Sequence, residues 1–425
     1  MSITNDDPQI RVRLRRDAAA VVHAAIRAGE PGRLLSSAVE RHPLPDGPLN
    51  VVSAGKAARP MLDALVRAHR SRLRDVAIGA GGHPVPDATS VEAGLRALAV
   101  ANAARLRGEW LVVLLSGGAS AMMELPVDGV TLDDLSATTR LLLASGLPIA
   151  RMNAVRKHLS AIKGGQLGAA ARQTMTYALS DVHAPVENDP SVIGSGPTVA
   201  DASTYQDAID ALDRAELTGR VPSAVREWLA AGAAGTHPET PKPGDDRLSD
   251  SRFFIAGDRR TVVNAAAAEA RSRGYDVTTI DRPILGEARD AAKAFIDAAP
   301  GGGRPAALIG GGETTVTLPA DGPIGRGGRN QEFALAAARA LPPLAPAILV
   351  SAGTDGIDGT TDAAGAFADE TTVRRAAAAG TDVEAALRAH ASYDVFARLD
   401  DLLVTGPTGT NLGDLQVLLL APPVP

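Results

Sequence analysis

Short continuous apolar runs alternate along this chain with longer Ala-rich stretches of helical period. Runs at 49–53 (LNVVS), 110–115, 174–180 (TMTYALS), 252–256 (RFFIA), 275–280 (YDVTTI), 305–310 (PAALIG) and 346–351 (PAILVS) lack polar alternation. That pattern predicts strands buried on both faces. Between them, 56–68, 88–107, 150–171, 260–273, 286–299 and 329–340 read as helices. Strands spaced by helices predict an α/β protein with parallel sheets covered on both sides, and such sheets bind ligands beyond the carboxyl ends of their strands. A last apolar run, 415–421 (LQVLLLA), reads as a strand that joins either domain. The segment 232–250 (GAAGTHPETPKPGDDRLSD) carries Gly, Pro and charge without periodicity, as a linker does. The expected division is therefore one domain over 1–235 and a second over 250–425, with an active site between them.

Glycine-rich turns follow the apolar runs and hold most of the small polar chemistry. They are SAGK (53–56), SGGAS (116–120), IGSGPT (193–198), GGGET (310–314), GRGGRNQE (325–332), SAGTDGIDG (351–359) and GPTGTN (406–411). Backbone N–H groups at a strand-to-helix turn bind anions, phosphates first among them. Lys56 stands just after Gly55, where its charge can reach a phosphoryl group; the plainer reading is a solvated lysine at a helix start. Arg326 and Arg329 bracket a glycine pair ahead of Asn330, and one of them suits a clamp for phosphate or carboxylate. The alternative is an exposed turn. Asp355 or Asp358 is expected to act on substrate or metal, and Asp362 to cap a helix; Asx-turn and cap roles for all three are the alternative. Asp181, Glu187 and Asp189 precede Ser195 and Thr198, and two carboxylates there suit a divalent ion. His183 is expected at the surface, and His83 and His158 to be structural.

The 425 residues allow two domains. A mild net charge of −6 with no long basic run argues against nucleic acid as a partner. The absence of cysteine excludes disulfides, thiolate metal sites and a cysteine nucleophile. Neither a signal-type segment nor an apolar stretch of about 18 residues is present, so a cytoplasmic protein without membrane association is expected. Arg11, Arg13, Arg15 and Arg16 lie in a first helix opened by Asp7 and Pro8 and read as a solvated face. No GxSxG elbow is present, nor a GxGxxG fingerprint at the first strand–helix junction, which weakens the serine hydrolase and dinucleotide-dependent classes.

In this order SAGK, GGHPVPD, LLSGGASAMMELP, RKHLSAIKGGQL, NDPSVIGSGPTV, GGETTV, GRGGRNQEFALA, SAGTDGIDGTTDAAGA and GPTGTNLGDL resemble the class II glycerate kinases, which carry a MOFRL domain. The resemblance covers about residues 50–415. It implies a Rossmann-like parallel sheet with flanking helices, a second α/β domain of MOFRL type, and phosphorylation of D-glycerate to 2-phosphoglycerate with ATP and Mg²⁺. It further implies that Lys56, Arg329 and Asp189 are catalytic and that Asp181 and Asp189 hold the metal. The substrate- and nucleotide-binding set is then Gly55, Ser116, Gly117, Gly118, Ser120, Gly194, Ser195, Gly196, Glu313, Arg326, Asn330, Asp355, Asp358 and Asn411. One departure is HAPVEN (183–188), inserted where the family has a very short acidic link, which bears on substrate choice. The rival readings are an NAD(P)H-dependent hydroxypyruvate reductase, a kinase for a longer sugar acid, and a non-catalytic sensor. A homodimer is left open.

Overall fold

The first five strands build one parallel sheet. They are β1 (Leu49–Ala54), β2 (Leu73–Gly79), β3 (Leu111–Leu115), β4 (Gln173–Leu179) and β5 (Asp250–Gly257), in the order β2-β1-β3-β4-β5. β1 and β3 are buried throughout, as continuous apolar runs must be. β2 is an edge strand that alternates in burial and carries the charged pair Arg74 and Asp75 after its first residue, which is why no continuous run announces it. The computed structural model describes residues 8–301, 305–319, 324–341, 344 and 346–421. It falls into two compact units, and this sheet belongs to the unit Pro31–Gly257.

Helices Pro31–Arg41 and Ala58–His69 pack together beside this sheet, and Ala88–Arg107 packs with Gln166–Ala171. Ala93, Ala97, Val100 and Ala101 from the long helix meet Val52, Val113 and Leu115 from the strands in one core cluster. Alanine there lets helix and sheet approach closely. Asp87 and Ser90 form a reciprocal cap at the start of that helix, and Gly108, at φ 67°, ends it in the left-handed region. A separate helical core unites Leu135, Val155, Tyr205, Leu212 and Leu229 from four helices between 132 and 233. The helix expected over 150–171 is two, Ile149–His158 and Gln166–Ala171, because Gly164 and Gly165 take positive φ between them.

The second unit joins the residues up to Glu30 with those from Asp258 onward. Its strands are β6 (Asp276–Thr279), β7 (Ile284–Glu287), β8 (Ala306–Thr315), β9 (Ala347–Gly353), β10 (Gly365–Asp369), β11 (Leu402–Leu403) and β12 (Asp414–Leu420). The sheet order is β11-β10-β9-β12-β8-β6, with β7 also paired to β8. This sheet is mixed: β12 runs antiparallel to both β8 and β9, and β10 antiparallel to β9. The expectation of parallel pairing holds here for β6 and β7 against β8. Helices Ala288–Asp297 and Arg329–Ala338 bury Phe295 and Phe333 against each other in the core of this unit.

The division differs from the one expected at 232–250. That segment folds within the first unit: Thr240 and Pro241 are buried, Asp201 N–H donates to the Pro241 carbonyl at 2.8 Å, and β5 adds to β4. Glycine and proline here shape a bound loop, and the chain crosses between units at 30/31 and 257/258. The last strand belongs to the second unit. So does helix Pro8–Ala28, which packs on β9, β12 and helix Arg259–Ser272. Its arginines are not merely solvated: Arg11 pairs with Glu370 at 2.8 Å, and Arg15 with Asp401. Asp7, the expected cap, lies outside the described residues. Among the described residues no helix is long and apolar enough to cross a membrane.

Candidate active site

The crossover from β1 to β2 and the crossover from β3 to β4 leave the neighbouring carboxyl ends of β1 and β3 toward opposite sides of the sheet. At such a point two loops open in opposite directions and leave a crevice. SAGK and SGGAS meet there. Ser116 N–H donates to the Ala54 carbonyl at 3.0 Å and Lys56 N–H to the Gly117 carbonyl at 2.9 Å. Ala57 N–H donates to Ser116 Oγ, also at 2.9 Å. Gly55 sits at φ 109°, and a Cβ on it would lie 2.4 Å from both Ser116 oxygens. Only glycine lets the strands close this tightly, and the result aims Lys56 outward, exposed, with the helix starting at Ala58.

Ser120 and Ser195 join SGGAS to IGSGPT through a 2.6 Å hydroxyl contact, and Ser195 Oγ donates to Asn153 Oδ1 at 3.1 Å. Gly194 and Gly196 both take φ 60° and Ser195 φ 61°, a run of left-handed residues that turns the loop back on itself. Asp189 holds the start of this loop, its Oδ1 accepting Ser191 N–H at 2.8 Å, and is half-buried, as is Asp181. Among the described residues no group of three or more His, Asp or Glu is placed to hold a metal by itself. The HAPVEN loop is closed by Asn188 N–H donating to the Val182 carbonyl at 3.0 Å, with Ala184, Pro185 and Val186 exposed. That closure folds His183 inward, so the histidine expected at the surface is buried. His158 is structural, its ring bonded to the Ala154 carbonyl and Glu239.

In the other unit, GRGGRNQE, SAGTDGIDG and GPTGTNLGD converge on a second polar cluster. Arg329 makes a two-point ion pair with Asp414, and its Nη1 contacts Glu313 Oε1 at 2.8 Å. Burial alone would lower the Arg329 pKa; the Asp414 charge and hydrogen bond outweigh it and raise it. Asn330 Nδ2 donates to Asp414 Oδ1 at 2.9 Å, and Ser351 Oγ to Asn330 Oδ1 at 2.7 Å. Asp358 accepts the backbone N–H groups of Asn330 (3.1 Å) and Gln331 (2.8 Å), capping helix Arg329–Ala338 from a distant loop. It is 2% exposed, and burial pushes its carboxyl up to about 6.

The cluster shows where several of the expected residues stand. Asp358, expected at substrate or metal, is the buried helix cap, whereas Asp362, expected as a cap, is exposed and accepts the Tyr393 hydroxyl at 2.7 Å. Asp355 Oδ1 accepts Ile357 N–H at 3.2 Å in a local turn, and Asn411 Oδ1 accepts Gly413 N–H at 3.4 Å. Arg326 stacks on the Tyr393 ring at 4.0 Å. GGGET is not a turn: Gly310–Gly312 lie inside β8, where a Cβ would strike Ile284 or the Asp414 carbonyl. Asp414, unforeseen, is the buried anchor of the cluster; the signal for it is an acid opening an otherwise apolar strand, DLQVLLL.

Two family models match the chain: a domain of unknown function (DUF4147) over residues 17–230, and the MOFRL family over 306–414. The glycerate 2-kinase of Pyrococcus horikoshii is 35% identical, over 97% of this chain and 98% of its own. The D-glycerate 2-kinase of Thermotoga maritima is 34% identical, over 96% and 98%. A protein of Agrobacterium vitis called a putative hydroxypyruvate reductase is 36% identical, over 98% and 96%. The crystal structure of glycerate kinase from Thermotoga maritima superimposes with a TM-score of 0.83 at 32% identity, covering 96% of this chain and all of that one. With both sheets and both clusters of glycine loops accounted for over nearly the full length, the chain belongs to the MOFRL-containing glycerate 2-kinase family.

Proposed function

We propose that this protein transfers the γ-phosphoryl group of ATP to the C2 hydroxyl of D-glycerate. The observation that carries the reading is full-length similarity to two relatives named glycerate 2-kinases, with both units of the fold matched. The geometry of the first unit supports it. Phosphoryl transfer needs alignment and charge neutralisation more than covalent chemistry. The Gly117–Gly118 turn supplies backbone at the sheet's switch point, Lys56 reaches out to neutralise the transferred group, and Ser120 and Ser195 offer hydroxyls. In the second unit Arg329 is a guanidinium held rigid by Asp414, suited to an anion.

Mg²⁺ belongs to the same proposal. Hard carboxylate oxygens at Asp181 and Asp189 fit a cation that keeps most of its contacts with phosphates and water, and it would neutralise charge on the phosphate oxygens. An aspartate of this pair would also take the hydroxyl proton.

The test is ADP release with ATP, Mg²⁺ and a panel of D-glycerate, L-glycerate, erythronate, threonate and hydroxypyruvate, with product regiochemistry read by phosphorus NMR. D-Glycerate giving the 2-phosphate is the expected result. Turnover confined to a longer acid would overturn the substrate. NADPH oxidation with hydroxypyruvate and no ADP release would favour the activity in the Agrobacterium protein's name.

A further inference from the structure

Helix Ile149–His158 brings two donors to the crevice that no expectation included. Asn153 is 3% exposed; its Oδ1 accepts from Ser195, and its Nδ2 has no hydrogen-bond partner among the described residues. An amide N–H₂ buried this way carries a standing cost unless something supplies an acceptor. One turn further on, at i+3 and so on the same helix face, stands Arg156. It is half-buried, and the carboxylate whose charge acts on it is Glu124.

Glu124 is already committed. Its Oε1 accepts the Ser160 hydroxyl at 2.5 Å and Leu125 N–H at 2.9 Å, and its Oε2 pairs with Lys163. Lys163 is buried and its pKa falls to about 8, chiefly through burial, with Glu124 raising it and Arg156 lowering it. Two cations thus share one carboxylate whose oxygens are taken. The neighbouring buried lysine, Lys157, has its own acid, Asp201, at 3.1 Å. Arg156 therefore shares its carboxylate with Lys163, in a half-buried place where a guanidinium without its own partner is costly.

Arg156 acts beside the phosphate-type loop. The His83 ring stands 3.1 Å from where a Cβ on Gly118 would be. Burial lowers the His83 pKa first, and the charges of Lys56 and then Arg156 lower it further. The two cations thus disfavour a third charge at His83.

We infer that Asn153 and Arg156 bind the carboxylate of the hydroxy-acid substrate, which makes helix Ile149–His158 the element that selects an acid over a neutral polyol. The inference rests on the kinase reading. A carboxylate fits where a phosphate does not: it is a planar monoanion with two acceptors, matching one guanidinium and one unpartnered amide on one helix face. The backbone of Gly117 and Gly118 remains for the nucleotide.

The test compares wild type with Arg156→Lys and Asn153→Ala, each checked for folding by circular dichroism. For Arg156→Lys, KM for D-glycerate should rise at least about tenfold while KM for ATP stays within about twofold. The preference for D-glycerate over glyceramide, its neutral amide, should fall by a similar factor. Lysine keeps the charge, so a fully structural role would leave that preference intact. For Asn153→Ala the rise in KM for D-glycerate should be about fivefold. Unchanged KM for D-glycerate in folded variants overturns the inference, as does a rise confined to ATP, which would make Arg156 a phosphate ligand. If Arg156→Lys does not fold, Asn153→Ala decides alone. Calorimetric titration with D-glycerate separates the two readings. Binding by wild type that Arg156→Lys weakens supports the carboxylate site even without ADP release, and binding equal in both overturns it.

Discussion

Arg329 and Asp414 form a two-point ion pair, Nε to Oδ2 at 2.7 Å and Nη2 to Oδ1 at 3.0 Å, with the aspartate fully buried. Asp414 opens β12 while Arg329 opens a helix, so the pair ties two elements distant in sequence. Removing the arginine strands a buried charge. Arg329→Ala is expected to destabilise the protein by about 3 kcal/mol in urea unfolding, and Arg329→Lys by less, since it keeps the charge but not the fork. A loss of turnover with unchanged stability in Arg329→Ala would mean that the arginine serves the reaction alone.

Lys56 presents the opposite balance. It is exposed, so Lys56→Ala should leave unfolding within about 0.5 kcal/mol of wild type. Turnover should drop about 10²-fold, as for other single electrostatic stabilisers of a transition state. Near wild-type turnover would remove Lys56 from the proposed mechanism.

The buried cap Asp358 gives a pH signature. Its folded pKa, about 6, is raised from 3.8 by burial, so the folded state holds a proton there more tightly than the unfolded chain. That contribution to stability is full below about pH 4 and is lost as pH rises through 6. The stability of wild type relative to Asp358→Asn should therefore fall by about 2 kcal/mol between pH 4 and pH 6.5. A difference that is flat across this window, measured by urea unfolding at several pH values, would show that the carboxyl titrates elsewhere.

Two glycines with positive φ separate strain from crowding. At Gly47, φ 85°, nothing lies within 4 Å of an added Cβ, whereas at Gly55, φ 109°, Ser116 blocks it. Gly47→Ala should cost about 1 kcal/mol, from backbone strain alone. Gly55→Ala should cost more than about 2 kcal/mol and also reduce turnover, because the SAGK and SGGAS loops can no longer lie against each other. Equal effects at the two sites would mean that the loop contact is soft.

Much of this architecture is legible in the residues, and the failures have physical causes. The buried strands announce themselves because continuous Val, Leu and Ile runs have no other comfortable state; β1, β3, β8 and β9 start within one residue of their expected positions. β2 hides because an edge strand half in water looks like a charged loop, LRDVAIG, and β10 because GAFAD is short and flanked by turn residues. Antiparallel pairing of β12 is invisible locally, since periodicity does not encode the direction of a partner. Lys56 and Arg329 stand out through their glycine neighbours. Asn153 does not, and Arg156 and Asp414, though inside the motifs RKHLSAIKGGQL and GPTGTNLGDL, draw their roles from residues brought near by folding.

Helix Pro8–Ala28 packs in a unit whose remaining residues begin at Asp258. On the ribosome it is made before all of its partners, helix Arg259–Ser272, β9 and β12. At about 5–20 residues per second it waits at least ten seconds or so, its apolar face bare, while the intervening sheet is synthesised. The order of synthesis thus opposes the order of assembly for this unit. A nascent chain arrested before helix Arg259–Ser272 carries this amphipathic helix without any of its partners, a natural target for chaperones that bind exposed apolar segments.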